Sequence, residues 1–256
     1  MRLSALFLLA AFPVQAATLA AHHAVYALSL DTTKDGAMSD GRGTMTYDVV
    51  DTCTGWTTSQ HLVIDLTSKD GKDSHMVSDY ATLESRDGTH LNFHTRQVTD
   101  AAVTEQLDGT AVLDRSGGSG HADYTSPEVK TMTLPAGTLL PMAHTGALLD
   151  AAAAGKKFLA VPLFDGTGSD GAQDTFVTLV SWHPPAAQKT WAALAKMAYG
   201  QVHIAFFDRD QKAQTPDYEI AMRYFANGVA DGMTMDFGDF VMDGHLQTLE
   251  MRPARC

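Results

Sequence analysis

The chain has 256 residues, with 18 Lys and Arg against 30 Asp and Glu, and a formal net charge of −12 at pH 7. No basic cluster is longer than Lys156-Lys157. This acidic balance argues against a nucleic-acid partner, because phosphates are bound mainly by Lys and Arg. Apolar residues make up 45% of the chain and charged residues 19%, which excludes an intrinsically disordered protein.

The first sixteen residues have the pattern of a secretory signal peptide. Arg2 supplies positive charge, residues 3–12 form an apolar run, and Ala16 completes a small-x-small cleavage motif. We therefore predict a signal peptide over residues 1–16, cleavage between Ala16 and Ala17, and a mature chain over residues 17–256. A buried N-terminal helix or a retained anchor is the alternative. No later segment approaches the ~18 apolar residues of a membrane-spanning helix, so no transmembrane segment is predicted.

Cys53 and Cys256 are the only two cysteines, and export would bring them into an oxidising compartment. Disulfides persist in oxidising compartments, and two cysteines permit a single intramolecular pairing. A Cys53–Cys256 bridge would tie the last residue of the chain to a point near its beginning. Two free thiols or an intermolecular bridge remain the alternatives.

Turn signals divide the mature chain into short segments rich in Thr, Val, Tyr and Phe. Asp-Gly and Asn-Gly pairs suit the positive φ angles of hairpin turns. Strands are predicted at residues 22–30 and 57–66, and hairpins turn at Asn227-Gly228 and Gly238-Asp239. This pattern predicts a single β-rich domain of antiparallel strands. The pairs begin at Asp35, Asp40, Asp70, Asp87, Asp108, Asp165, Asp170, Asn227, Asp231 and Asp243.

One Ala-rich segment, residues 142–154, interrupts the β pattern. Pro141 suits the first turn of a helix and Gly155 the position after its end, so one central helix is predicted near residues 141–155. Residues 190–198 form either a second short helix or part of a strand. A parallel α/β sheet is not expected, because helices do not alternate with strands.

The central helix lies between two Pro-containing apolar segments. A rigid helix held in this way either plugs the concave face of a sheet or frames a groove, with plain packing as the alternative. We assign His144, Phe164, Asp165 and Gly166 as candidate binding or groove-framing residues. The Met, Phe and Tyr side chains of residues 218–242 are further candidates to line an apolar groove, although alternate strand positions normally form the core.

No motif indicates catalysis or a bound cofactor. The eleven histidines are scattered without metal-ligand spacing, and the acidic loop 165–174 lacks the repeat of calcium-binding segments. There is no nucleophile elbow, phosphate-binding loop or dinucleotide fingerprint. We therefore predict no catalytic residues, no metal site and no cofactor.

Several short segments form an ordered set that extends over nearly the whole mature chain. The segments are 23–30, 53–58, 134–144, 164–166, 216–219, 227–229, 236–240 and the terminal Cys256. Together they resemble the EipB-like family of periplasmic cell-envelope integrity proteins, with Phe237 standing where Tyr is more usual.

This resemblance implies an open β-spiral, a disulfide between Cys53 and Cys256, a periplasmic location in a Gram-negative envelope, and repeat-containing periplasmic partners. It supplies no catalytic residue. The leading hypothesis is a non-enzymatic protein that supports envelope integrity by binding an envelope partner or a peptide. A carrier of a lipid or lipoprotein is the second hypothesis, and a hydrolase acting on envelope polymers is the third.

Overall fold

The computed structural model describes residues 18–33, 36–186, 191–209 and 215–254. Strands dominate, because β-branched and aromatic residues fill the segments between turn-forming glycines. The elements are β1 (His22–Thr33), β2 (Met38–Asp51), β3 (Gly55–Ser68), β4 (Asp73–Ser85), β5 (His90–Thr99), β6 (Ala102–Leu113), β7 (Gly120–Ser126), β8 (Lys130–Leu134), α1 (Pro141–Ala153), β9 (Phe158–Leu163), β10 (Gln173–Leu179), a 3₁₀ turn (Ala192–Leu194), β11 (Tyr199–Phe207), β12 (Tyr218–Phe225), β13 (Ala230–Asp236) and β14 (Phe240–Met251).

All fourteen strands belong to one antiparallel sheet, in the order β8-β7-β6-β5-β4-β3-β2-β1-β14-β13-β12-β11-β10-β9. The sheet therefore consists of two meanders, β1–β8 and β9–β14, which join where the first strand pairs with the last. His22 lies opposite Met251 on β14 and opposite Val49 on β2. The two ends of the described chain thus meet in the middle of the sheet, and the predicted mainly β, antiparallel class is confirmed.

The sheet curls around α1, which packs against both meanders. Met142 lies in a cluster with Val49 and Trp56 from the first meander. Leu148 and Leu149 pack in another cluster with β10 and β11 of the second meander. The helix begins at Pro141 and is followed by Gly155 at φ +71°, as its flanking residues predict. In the described part of the segment 190–198, which begins at residue 191, the helical element is the 3₁₀ turn Ala192–Leu194.

The two edge strands approach each other through the segment that precedes the helix. The backbone N–H of Leu139 donates to the carbonyl of Pro162, at 2.9 Å between nitrogen and oxygen, and Leu139 accepts from Phe164 at 3.0 Å. Within the described residues this contact is with the linking segment and not with β8 itself, so the sheet is open.

Four of the nine Asp-Gly pairs do not form turns, and the turn prediction is wrong for them. Those beginning at Asp40, Asp108, Asp231 and Asp243 lie inside strands. Close packing explains two of these glycines. A Cβ on Gly109 would lie 2.5 Å from the Phe93 ring, and one on Gly244 would lie 2.7 Å from the Met233 side chain. The hairpins at Asn227-Gly228 and Gly238-Asp239 are confirmed.

Candidate functional site

The concave side of the sheet encloses a cavity of about 640 Å³. Side chains from both meanders, the first turn of α1 and the loop after β9 line it. Its volume lies in the range of about 300–1,000 Å³ that is typical of small-molecule sites. Thr167 is exposed to solvent and Glu105 is half-buried, so the cavity reaches solvent on this side.

Strand register explains why the lining of the first meander changes from apolar to polar. Side chains directly opposite each other on neighbouring strands point to the same face of a sheet. One such row crosses from β1 to β6 and begins with apolar side chains and ends with polar ones. Its members are Tyr26, Met45, Leu62, Ser78, Gln97 and Glu105. A parallel row with Tyr47, Gln60, Tyr80 and Thr95 adds further polar groups.

The second meander supplies an apolar wall. An aromatic series runs along it, with ring centroids 5.6 Å apart between Phe206 and Tyr218, 5.6 Å between Tyr218 and Phe237, and 5.0 Å between Phe237 and Phe240. Six methionines also line the cavity, and this flexible side chain adapts to irregular apolar surfaces. They are Met45, Met76, Met142, Met222, Met233 and Met235.

Most polar groups of the lining have partners within the protein. The Tyr26 hydroxyl donates to the carbonyl of Ala230 at 2.7 Å, and the Tyr80 hydroxyl to the carbonyl of Asp165 at 3.0 Å. Asn227 is the exception: it is 5% exposed, and its Nδ2 is the only buried side-chain nitrogen or oxygen of the described residues without a hydrogen-bond partner. This nitrogen has almost no accessible surface, so it lies behind the cavity wall and does not face the cavity.

Two carboxylates, Glu105 and Asp165, line the cavity. Burial raises the pKa of each above its usual range, and for Asp165 the hydrogen bonds from Thr167 oppose that effect. The described lining residues include no Lys or Arg that would offset the two negative charges.

The start of α1 is fixed by a third carboxylate. Glu84 on β4 is 2% exposed and accepts from the backbone N–H groups of Met142 and Ala143. Desolvation raises the pKa of Glu84 to about 7, and these two hydrogen bonds act in the opposite direction. Both carboxylate oxygens of Glu84 therefore bind the first turn of α1.

The His144 side chain also forms a hydrogen bond within the protein, in this case with Thr175. Its Nε2 lies 3.0 Å from the hydroxyl of Thr175, and that hydroxyl donates to the carbonyl of Val161 at 2.7 Å. Because the single hydroxyl proton is used on Val161, His144 must be the donor to Thr175, through Nε2–H. Burial lowers the pKa of His144 to about 4, so the ring is neutral at pH 7.

Of the four candidate groove-framing residues, the structure brings two to the cavity. His144 and Asp165 line it, whereas Phe164 is fully buried behind the wall, where its ring packs edge-on against Phe93 at a centroid distance of 5.4 Å. The Gly166 carbonyl accepts from the Thr95 hydroxyl at 3.0 Å, so this residue fixes the loop. Phe164 points away from the cavity because it alternates with Leu163, which lines it.

Six of the remaining histidines lie beside a carboxylate. Several form cross-strand pairs with carboxylates on half-exposed surface, such as His61 with Asp79 at 2.6 Å and His94 with Asp108 at 2.6 Å. Exposed pairs of this kind contribute little to stability. In the described part of the chain, no three His, Cys, Asp or Glu side chains are grouped so as to hold a metal ion.

The predicted cleavage site at Ala16 and Ala17 and the terminal Cys256 lie outside the described residues. Cys53 is exposed in the turn between β2 and β3, at φ +67°. No described cysteine is a free thiol. None of the described helices is both long and apolar enough to cross a lipid bilayer.

The chain therefore forms an open β-spiral, in which one antiparallel sheet coils about one helix and encloses a cavity with polar and apolar sides. The chain belongs to the EipB-like family, whose model matches residues 13–253. It is similar to the cell envelope integrity protein EipB of Brucella abortus (strain 2308), with 29% identity over 250 residues that cover 94% of this chain and 88% of that relative. A solved β-barrel-like protein of a domain of unknown function from Brucella abortus has a TM-score of 0.83 and 29% identity, covering 93% of this chain and all of that one.

Proposed function

We propose that this protein is exported to the periplasm, is not an enzyme, and supports cell-envelope integrity by binding a ligand in the cavity inside its sheet. The cavity of about 640 Å³ is the observation that carries the proposal. Membership of the EipB-like family and the similarity to a cell envelope integrity protein support the envelope role. The signal-peptide pattern of residues 1–16 supports export.

The chemistry of the buried titratable groups supports binding over catalysis. Glu84 accepts a hydrogen bond from the first turn of α1, and His144 donates one to the hydroxyl of Thr175. The pKa shifts of both groups result from burial, and each group already has a hydrogen-bond partner within the protein. A hydrolase would instead need such groups directed together at a bound substrate.

Complementation of a deletion strain tests the proposal. Loss of the gene is expected to sensitise cells to detergents and cell-wall antibiotics, and the unaltered gene should restore resistance. Ser78→Phe places a ring inside the cavity, whereas Ser59→Phe places the same ring on the exposed face of the neighbouring strand. We expect S59F to restore resistance and S78F to fail at equal protein level. Full rescue by S78F would show that the cavity is not needed.

A lipid or lipoprotein carrier is a second candidate, favoured by the Met- and aromatic-lined wall of the second meander. Repeat-containing envelope proteins are then candidate partners for delivery or scaffolding. Native mass spectrometry of protein purified from cells without detergent tests the carrier function. A co-purified lipid in the unaltered protein and in S59F, but not in S78F, is the expected result, and absence of lipid from all three would count against a carrier.

The Cys53–Cys256 disulfide is proposed as the clasp of the fold. The N–H of Arg252 donates to the carbonyl of Ala21 at 2.9 Å, and its guanidinium donates to Asp48 at 2.6 Å. These contacts hold Arg252 one strand away from β2, the strand that leads into the turn carrying Cys53. The four residues after Arg252 can extend by up to about 13 Å, which supports the proposed pairing.

A further inference from the structure

The electrostatic character of the cavity restricts which ligand it accepts. Its described lining contains the two carboxylates Glu105 and Asp165 and neither Lys nor Arg. A buried anion is tolerated when a cation or several hydrogen bonds compensate its lost hydration. A ligand that brings a second negative charge into this space would meet repulsion without a basic side chain to relieve it.

The carboxylate of Asp165 is held in place by its own loop. Its Oδ1 accepts from the backbone N–H of Thr167 at 2.9 Å and from the Thr167 hydroxyl at 2.7 Å. Tyr80 donates to the backbone carbonyl of Asp165, which ties the loop to β4. The carboxylate is thus a fixed feature of the cavity. Glu105 ends the polar row that crosses the first meander, so the two acids lie on the polar side of an otherwise apolar space.

The polar row of the first meander supplies uncharged groups for a neutral polar head group. Ser78 and Gln97 lie opposite each other in this row, next to Glu105, and all three line the cavity. A hydroxyl and an amide both donate and accept hydrogen bonds, so they accommodate an ester or amide oxygen of an uncharged ligand.

We propose that the ligand is a single-chain amphiphile with a neutral or cationic polar group, and that Glu105 and Asp165 make the cavity discriminate against anionic amphiphiles. The hydrocarbon chain lies against the methionines and the aromatic series, and the polar group faces Gln97, Glu105 and Asp165. This inference rests on the proposed binding function, because it names the chemistry of the occupant of the same cavity.

Three twelve-carbon probes with different head groups test the inference on the full mature protein at pH 7.4. Dodecylamine is cationic, monolauroylglycerol is neutral and carries an ester oxygen, and laurate is anionic. Dissociation constants are measured by isothermal titration below the micellar concentration of each probe. In the unaltered protein we expect laurate to bind about tenfold or more weakly than the other two, since like charges in a binding site oppose association.

The double variant E105Q/D165N should remove the discrimination, so that the laurate and dodecylamine constants become similar. The matched control E128Q/E250Q removes two exposed carboxylates and gives the same change in net charge, so it should keep the discrimination. Because the readout is a ratio of two constants in one protein, it does not depend on the fraction of a variant that folds.

Equal or tighter binding of laurate by the unaltered protein would overturn the head-group inference and leave the cavity function standing. Discrimination that persists in E105Q/D165N, or that disappears equally in E128Q/E250Q, would overturn the assignment to the two carboxylates. If none of the three probes binds, the amphiphile inference fails, and the proposed function is decided separately by whether S78F restores resistance in the deletion strain.

Discussion

The Oε2 atom of Glu84 on β4 lies 2.7 Å from the backbone nitrogen of Met142 in the first turn of α1. Its other oxygen accepts from Ala143 at 3.0 Å. The residue at the N-cap, Leu140, provides no side-chain hydrogen bond, so a carboxylate from a distant strand performs the capping. Negative charge at a helix N-terminus also interacts favourably with the helix dipole. This contact joins the helix to the first meander and positions the residues of α1 that line the cavity.

Removing the Glu84 side chain should therefore destabilise the protein. Glu84→Ala leaves the buried N–H of Met142 and the partly buried N–H of Ala143 without an acceptor, which costs about 2–3 kcal/mol. For a chain of this size we expect the melting temperature to fall by about 5–10 °C. Calorimetry of E84A beside E128A measures this, because Glu128 is exposed in the turn after β7. Equal melting temperatures for the two variants would contradict the capping role.

The contribution of Glu84 to stability should also depend on pH. Burial raises its pKa from 4.5 to about 7 in the folded protein. Between these values the folded state retains a proton that the unfolded state has lost, so the free energy of unfolding decreases as pH rises through this window. Glu84→Gln does not titrate, so the stability of the unaltered protein relative to E84Q should fall between pH 4.5 and 7. Urea denaturation at intervals of pH gives this difference, and a constant value would refute the shift.

His144 should produce the opposite dependence on pH. Burial lowers its pKa from 6.5 to about 4, so between these values the unfolded state binds a proton that the folded state does not. The free energy of unfolding then increases as pH rises from about 4 to 6.5. His144→Gln keeps a donor for Thr175 but does not titrate. The stability of the unaltered protein relative to H144Q should rise over this range in the same urea series, and a flat or falling difference would contradict a buried neutral His144.

The parts of the fold that depend on local signals were predictable from the sequence. The boundaries of α1 follow from Pro141 and Gly155, and the C-terminal hairpins follow from turn residues at Asn227 and Gly238. These features depend on the φ angles that single residues adopt easily. The resemblance of these segments to the EipB-like family also predicts the β-spiral from the sequence alone.

The site was less predictable, because its residues act across long sequence separations. Glu84 looks like an ordinary strand residue until its partner, 58 positions later, is known. In the sequence Asn227 is only a turn-forming residue, and its amide nitrogen lacks a hydrogen-bond partner because the fold buries it. Asp231 begins an Asp-Gly pair, yet it lies within β13 and pairs with Arg223 at 2.6 Å. Register and curvature of the sheet, which short sequence patterns do not encode, decide these roles.

The proposed clasp makes a prediction about stability that separates it from its alternatives. Cys256→Ser should lower the melting temperature and loosen β14, because the unfolded chain regains the freedom that a loop of about 200 residues had lost, with an upper-end value of about 5 kcal/mol. The contacts of Arg252 with Ala21 and Asp48 remain in this variant, so the loss reports the bridge and not the packing of the C-terminal segment. Reductant should lower the melting temperature of the unaltered protein by a similar amount and leave C256S unchanged. An intact mass showing two free thiols in the exported monomer, or equal melting of both proteins under oxidising conditions, would rule out the clasp.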